Sequence, residues 1–301
     1  MSLGRLVVEE LAVAPGKSAR LDERRTDRIT ADWLTVSAGQ TEKQAATARL
    51  DDFRSTLAAL QEVLHAEGTR ALLLIFQGLD AAGKDGTISH VLGGVNPQGL
   101  RVDSFKQPSA EELRHDFLWR AVLVLPERGQ IAVFNRSYYE DVLVVRVHPE
   151  LLDPPPARGH ESRLWTTRFE DINSFERHLA HSGTTIVKFF LHVSAAEQRR
   201  RLLERLADPS KYWKFSPADL AEREHFDAYR LAYAEALAAT STAHAPWYVI
   251  PADDKALMRA LVAGLVVHAL ETMNLVIPEP DPAHRAALEV ARQRLLAEPG
   301  N

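Results

Sequence analysis

Gly78, Gly83 and Lys84 stand in the run GLDAAGKDG at the spacing G-x-x-x-x-G-K, the pattern of a loop that wraps phosphate. Glycine lets the backbone turn tightly, so successive N–H groups can point at one anion. The helix that follows adds its positive end, and lysine adds a mobile charge. At ~4 Å and an effective dielectric near 20 that charge contributes roughly 4 kcal/mol. A phosphoryl-transfer transition state feeling the difference would gain about three powers of ten in rate. The candidate contacts are Gly78, Ala81, Ala82, Gly83, Asp85, Gly86 and Thr87, with Lys84 as the catalytic cation.

Two residues depart from the usual loop. Asp85 follows the lysine where a hydroxyl would hold magnesium, and Asp80 lies inside the loop. A carboxylate beside bound phosphates is repelled unless a cation lies between them, which makes Asp80 a candidate magnesium ligand. A glycine turn that merely opens a helix, with Asp85 as its first-turn acid, would read similarly.

Further along, Arg136, Glu140 and Asp141 follow a buried run that ends in Asn135 rather than an acid. Asp141 is the expected replacement for that missing metal ligand, its alternative being an acid at a helix N-terminus. Arg201 and Arg205 are four apart and share a helix face, where guanidinium groups could clamp a transferring phosphoryl group. Arg199 and Arg200 read as a solvated face paired with Glu197 and Glu204. Lys211, Tyr212, Trp213 and Lys214 form a candidate lid between Pro209 and Pro217, closing the site to water; Trp213 as a core anchor is the competing reading. Lys106 and Arg120, with Arg136, could line a positive track. His115, His148, His192 and His225 follow no metal-ligand spacing and read as structural.

The elements that position these residues follow from periodicity. Residues 71–76 are a short apolar run, hence a buried strand feeding the loop. Further strands are expected at 100–105, 131–134, 184–193 and 247–250. Helices are expected at 41–65, 109–125, from Tyr138 onward, at 162–181, 194–206, 216–239 and 255–273, several opened by capping residues. Alternating strands and helices define an α/β fold with a five-stranded parallel sheet covered on both faces. Ligands bind such sheets at the carboxyl ends of the strands, where the candidate residues fall. Mixed charges over 1–40 predict a loosely attached arm; 41–276 is the expected α/β domain around the phosphate loop, with a lid at about 199–220. The three consecutive prolines near 153–159 predict an exposed loop, and 277–301 a linker and an appended helix suited to docking a neighbouring subunit.

The totals exclude other classes. The 301 residues are 46% hydrophobic and 26% charged, enough for one large core. With no cysteine there is no disulfide, thiolate metal site or cysteine nucleophile. No signal peptide or membrane-length apolar run is read, so the cytoplasm is the expected location. A formal net charge of −5 argues against nonspecific nucleic-acid binding while leaving room for a local basic channel.

GLDAAGKDGT, SFKQPSAEELRHDFLWR, FNRSYYEDVLVVRVH, TTIVKFFLHVSAAEQ, DPSKYWKFSPAD and APWYVIPADDK, in this order, closely resemble the second family of polyphosphate kinases over about 30–274. The resemblance implies a P-loop kinase fold like thymidylate kinase, with a helical lid. It implies magnesium-dependent transfer, with manganese able to stand in, between inorganic polyphosphate and an adenine nucleotide, guanine being the second choice. It also implies a homo-oligomer, dimer or tetramer. By position, Asp80 and Lys84 match the loop acid and lysine, Arg136, Glu140 and Asp141 the second motif, and Arg201 and Arg205 the lid arginines. The FNRSxYEDVL form, with Asn135, resembles the subgroup that phosphorylates AMP and ADP, although Tyr138 stands where histidine is expected. The rivals are an ATP-dependent nucleoside monophosphate kinase and a non-catalytic nucleotide-binding P-loop protein.

Overall fold

A computed structural model of the chain describes residues 3–152 and 163–298. Its elements run α1 (Arg5–Leu11), α2 (Glu42–Glu67), β1 (Ala71–Gln77), α3 (Lys84–Val91), β2 (Leu100–Ser104), α4 (Trp119–Val122), β3 (Ile131–Asn135) and α5 (Glu140–Val147). Then come α6 (Leu164–His181), β4 (Thr184–His192), α7 (Ala195–Ala207), α8 (Pro217–Glu224), α9 (Phe226–Thr240), β5 (Trp247–Pro251), α10 (Lys255–Thr272) and α11 (Pro282–Ala297).

The strands form one sheet in the order β2-β3-β1-β4-β5, every neighbouring pair parallel. All seven residues of β1 are buried, as an unbroken apolar run requires when both faces are covered. One face packs α2, α3 and α10 through Leu50, Phe53, Leu57, Ile88, Leu261 and Leu265. The other packs α5, α6 and α9 through Val142, Leu143, Ile172, Tyr233 and Leu237. This is the expected α/β architecture with helices on both sides.

Local signals explain the boundaries. Thr41 and Gln44 cap α2 reciprocally, Gln44 N–H donating to Thr41 Oγ1 at 3.2 Å and Thr41 N–H to Gln44 Oε1 at 2.9 Å. Gly68, at φ +62, ends it. Gly264 lets α10 approach its neighbours closely: a Cβ there would fall 2.6 Å from Leu3 Cγ and 2.9 Å from Phe53 Cε2.

Three expectations are corrected. Segment 1–40 is fastened rather than loose: Leu3, Val7, Leu11, Val13 and Leu21 are buried, and the Arg24 guanidinium donates to the carbonyls of Glu10, Ala12 and Ala19. The helix expected over 109–125 is a single 3-10 turn, Glu112–Arg114, followed by the four-residue α4. The Ser109–Glu112 capping box forms, but Asp116 begins a new turn by accepting from Leu118 N–H at 3.0 Å, a local bond that competes with helix continuation. The helix expected over 216–239 is broken at His225, which starts α9. Proline loop 153–159 lies outside the described residues. α11 buries none of its side chains, and no described helix is long and apolar enough to cross a membrane.

Candidate active site

β1, at the centre of the sheet, delivers the phosphate loop to the carboxyl ends of the strands. Gly83 adopts φ +106, and a Cβ there would lie 3.2 Å from Met258 Cε, so the turn needs glycine. Two buried cations hold the loop's carbonyls. Lys84 Nζ donates to Gly78 O at 2.6 Å and Leu79 O at 3.3 Å. Arg201 Nη1 donates to Ala81 O at 3.0 Å and Ala82 O at 2.7 Å, its Nη2 to the Ala252 and Asp253 carbonyls, and its Nε to Glu197 at 2.6 Å. Burial, helped by the Arg136 charge, pushes the Lys84 ammonium down to about 8. Thr87 turns away from the loop's mouth; its buried hydroxyl donates to Gly83 O at 2.9 Å.

The acidic partners sort themselves by hydrogen bond. Arg136, at φ +63, donates from Nη2 to Asp80 Oδ1 at 2.7 Å and from Nη1 to Glu140 Oε2 at 2.9 Å. Glu140 above all, and Asp80 after it, raise the guanidinium above its ordinary range. Asn135, in the place of the missing strand-end acid, donates to Asp85 Oδ1 at 2.7 Å. The β3–α5 turn carrying Arg136 is anchored from below. The Tyr138 and Tyr139 hydroxyls donate to Glu176 Oε1, each at 2.9 Å, and buried Lys188 reaches Glu176 Oε2 at 2.5 Å. Tyr138 is thus an anchor in the core, not a group at the surface of the site.

A cavity of about 650 Å³ opens over the loop. It gathers Lys84, Lys106, Arg136, Arg201, Arg205, Lys255 and Arg259, seven cations, against three acids, Asp80, Asp85 and Glu204. The loop residues Ala81, Gly83 and Gly86 also line it, and Trp213 stands at its edge, 79% exposed, so the tryptophan is no core anchor. A small adjoining pocket is lined by Gly78, Asp80, Arg136, Glu140, Tyr229 and Tyr233. The side chains of Lys211 and Lys214 lie outside the described part of the structure.

Of the predicted site residues whose side chains are described, Gly78 and Glu140 line the small adjoining pocket, Ala82 and Thr87 line neither, and Arg120 and Asp141 are turned to a different set of partners. Arg120 is buried, pairs with Asp141 at 3.7 Å and donates to Lys106 O at 2.9 Å. Asp141 is held between Arg120 and Arg168, whose Nη1 donates to the Asp141 carbonyl. Burial pushes its carboxyl up to about 6 against the pull of both arginines. Asp141 is therefore not placed beside Asp80 as a second metal ligand. Arg201 also differs from expectation: it reaches the cavity wall, but its guanidinium is committed to loop carbonyls.

Two cations lining the cavity escaped the sequence reading. Lys255 and Arg259 lie four apart on the first turns of α10 and face the cavity. Burial first, then the Arg201 charge, lowers both below their usual range. Arg259 Nε is buried without a hydrogen-bond partner among the described residues, and a Cβ on Gly86 would lie 3.5 Å from Arg259 Nη2. The i, i+4 spacing next to strand 247–250 was the available signal.

A residue set fit to hold magnesium must be weighed against its donors. Among the described residues no group of three His, Asp or Glu could hold an ion unaided. Of the acids lining the cavity, Asp80 stands inside the loop before the lysine, at 30% side-chain exposure, while Asp85, after it, accepts from Asn135. One carboxylate plus oxygens from phosphate and water suits magnesium, which keeps water and binds through few protein ligands.

A central strand, a phosphate loop and a cation-rich cavity at the strand ends define a P-loop kinase. The sequence model of the family described as Polyphosphate kinase 2 (PPK2) matches residues 40–277, and the chain belongs to that family. It is 52% identical over 243 residues to an ADP-polyphosphate phosphotransferase of Rhodopseudomonas palustris, covering 80% of this chain and 84% of that one. It is 47% identical over 248 residues to an AMP/ADP-polyphosphate phosphotransferase of Meiothermus ruber, covering 82% and 90%. The crystal structure of Polyphosphate Kinase 2 from Arthrobacter aurescens superposes with a TM-score of 0.83 at 41% identity, covering 97% of this chain and 99% of that one.

Proposed function

We propose that the chain transfers a phosphoryl group between inorganic polyphosphate and AMP or ADP, making ADP or ATP, by direct in-line displacement without a phosphoenzyme. The observation that carries this reading is the seven-to-three excess of cations over acids in one cavity of a protein with net charge −5. Such a local field draws in polyanions that the surface as a whole repels.

Lys84, beside the loop N–H groups of Ala81, Ala82, Gly83, Asp85 and Gly86, faces the transferring phosphoryl. Arg136 and Arg205 neutralise charge on its flanks, as phosphoryl transfer demands. Asp80 would hold magnesium, or manganese in its place, together with phosphate oxygens. When bound, the ion neutralises charge between the two anionic substrates. Lys106 on one side and Lys255 and Arg259 on the other extend the positive track. Trp213, with Lys211 and Lys214, belongs to the lid over 199–220 that excludes water. Adenine is the expected base and guanine the alternative.

The same reading includes a cytoplasmic setting and a homo-oligomer, dimer or tetramer. Leu288, Val290, Leu295 and Leu296 on α11 are all at least half exposed and offer an apolar surface for subunit contact.

The deciding assay supplies ADP or AMP with polyphosphate and no other donor. Formation of ATP or ADP, abolished in Lys84→Ala, is the expected result. Turnover only when ATP is the donor would replace this reading with a nucleoside monophosphate kinase. Tight nucleotide binding with no turnover would replace it with a binding protein.

A further inference from the structure

Asp141 sits in the first turn of α5, yet it faces neither the large cavity nor its small neighbour. Its side chain is 18% exposed and lies 3.7 Å from Arg120 Nη2, which is 7% exposed. The other Arg120 nitrogen, Nη1, donates at 2.9 Å to the carbonyl of Lys106, and the guanidinium carbon lies 5.3 Å from the Phe105 ring centre. Behind Asp141, Arg168 from α6 donates to its backbone carbonyl. A continuous line of charge and hydrogen bonds thus runs from α6 through α5 and α4 to the end of β2.

That line terminates on Lys106, whose side chain enters the phosphate cavity. Lys106 is exposed, and the connector after it begins with Gln107 and Pro108, outside any regular element. The neighbouring Phe105 N–H donates to Asn135 O at 3.0 Å, so the strand is held up to residue 105. Beyond it, the Arg120 bond is what fixes the peptide that carries the lysine. A carboxylate at the other edge of a buried guanidinium adds a directional restraint to the one its hydrogen bond supplies. Asp141 supplies that carboxylate.

We infer that Asp141 is a positioning residue that sets Lys106 over the phosphate cavity through Arg120, and that it holds no metal. This rests on the phosphotransfer reading above and assigns the Lys106 end of the cavity to the polyphosphate chain. Ser104, Phe105 and Lys106 offer that end one cation and no free aromatic face, since Phe105 is buried against Phe134 with ring centres 4.8 Å apart. An extended anion needs no more, whereas a nucleobase needs a flat apolar slot.

The test is a double-mutant cycle of Asp141→Asn and Lys106→Ala, read by steady-state kinetics with polyphosphate and ADP and by magnesium titration. In Asp141→Asn the KM for polyphosphate should rise about tenfold, the size of a misplaced phosphate contact. Its kcat at saturating polyphosphate, its KM for ADP and its magnesium activation midpoint should stay within about twofold of wild type. In the Lys106→Ala background the same change should have no further effect. Three results would each overturn the inference: a magnesium midpoint displaced tenfold or more, an effect that adds in full to Lys106→Ala, or no change in the KM for polyphosphate. Should Asp141→Asn fail to fold by circular dichroism, Arg120→Gln takes its place in the same cycle and the same outcomes decide. A wild-type protein unable to use polyphosphate would instead strike the phosphotransfer reading itself.

Discussion

Arg136 Nη2 lies 2.7 Å from Asp80 Oδ1, joining the turn after β3 to the inside of the phosphate loop across 56 positions of chain. The same guanidinium holds Glu140 at 2.9 Å. One residue thereby offsets part of the charge of two carboxylates that would otherwise repel a polyanion more strongly at the loop. Replacement by alanine leaves both acids uncompensated beside the substrate. Arg136→Ala should lower kcat/KM for polyphosphate by about a hundredfold or more. Arg136→Lys should recover little, because a compact ammonium lacks the two rigid edges with which the guanidinium meets Asp80 and Glu140. Steady-state kinetics on purified variants with matched melting curves would check both.

Lys84 sets an upper pH limit. Its ammonium is pushed down to about 8 by burial and by Arg136, so the charge is present below that pH and lost above it. Because kcat/KM reports the free enzyme, the pH profile of wild-type kcat/KM should fall on the alkaline side near pH 8. The profile of kcat should hold to higher pH, since bound phosphates restore the proton. Lys84→Arg, which keeps its charge throughout, should be slower overall and lack the alkaline fall.

Arg201 and Arg205 should separate by stability. Arg201 is buried and binds the carbonyls of Ala81, Ala82, Ala252 and Asp253. Arg201→Ala strands these groups and Glu197, at a cost of about 3–5 kcal/mol, or roughly 10 °C in Tm for a chain of this size. Arg205 is only partly buried and faces the cavity. Arg205→Ala should keep its Tm within about 2 °C while losing turnover. Differential scanning calorimetry beside the coupled ATP assay distinguishes them.

Lys255 and Arg259 should act on affinity rather than chemistry. The pair Lys255→Gln and Arg259→Gln is expected to raise the KM for polyphosphate by about tenfold, with the KM for ADP changed less. The salt dependence of the wild-type KM should also flatten in the pair, because fewer screened charges remain. Kinetics at several ionic strengths would measure this.

Much of the centre of this molecule was legible in its residues. The apolar run into β1 and the glycine–lysine spacing after it have one good physical solution, and strands alternating with helices leave few topologies. What escaped was direction. Consecutive residues on a helix point about 100° apart, so Glu140 can face Arg136 while Asp141 faces Arg120, and no spacing rule chooses between them. Lys255 and Arg259 share a face, but that the face looks at Gly86 depends on how α10 packs against α3.

The ends of elements were unreadable for a different reason. α1 has only seven residues, too few for its period to stand out from the charges between Val7 and Leu11. The capping box at Ser109 did form, but a cap marks only where a turn can begin. Asp116 then offered the backbone a competing partner, and the helix never lengthened.

Lys84 and Arg201 grip the backbone oxygens of the loop, so its shape is set by the chain's own cations. The work of adapting to a particular nucleotide or chain length therefore falls on Trp213 and its surroundings. Variants with altered substrate range should be sought by randomising that segment, with the glycine turn left as it is.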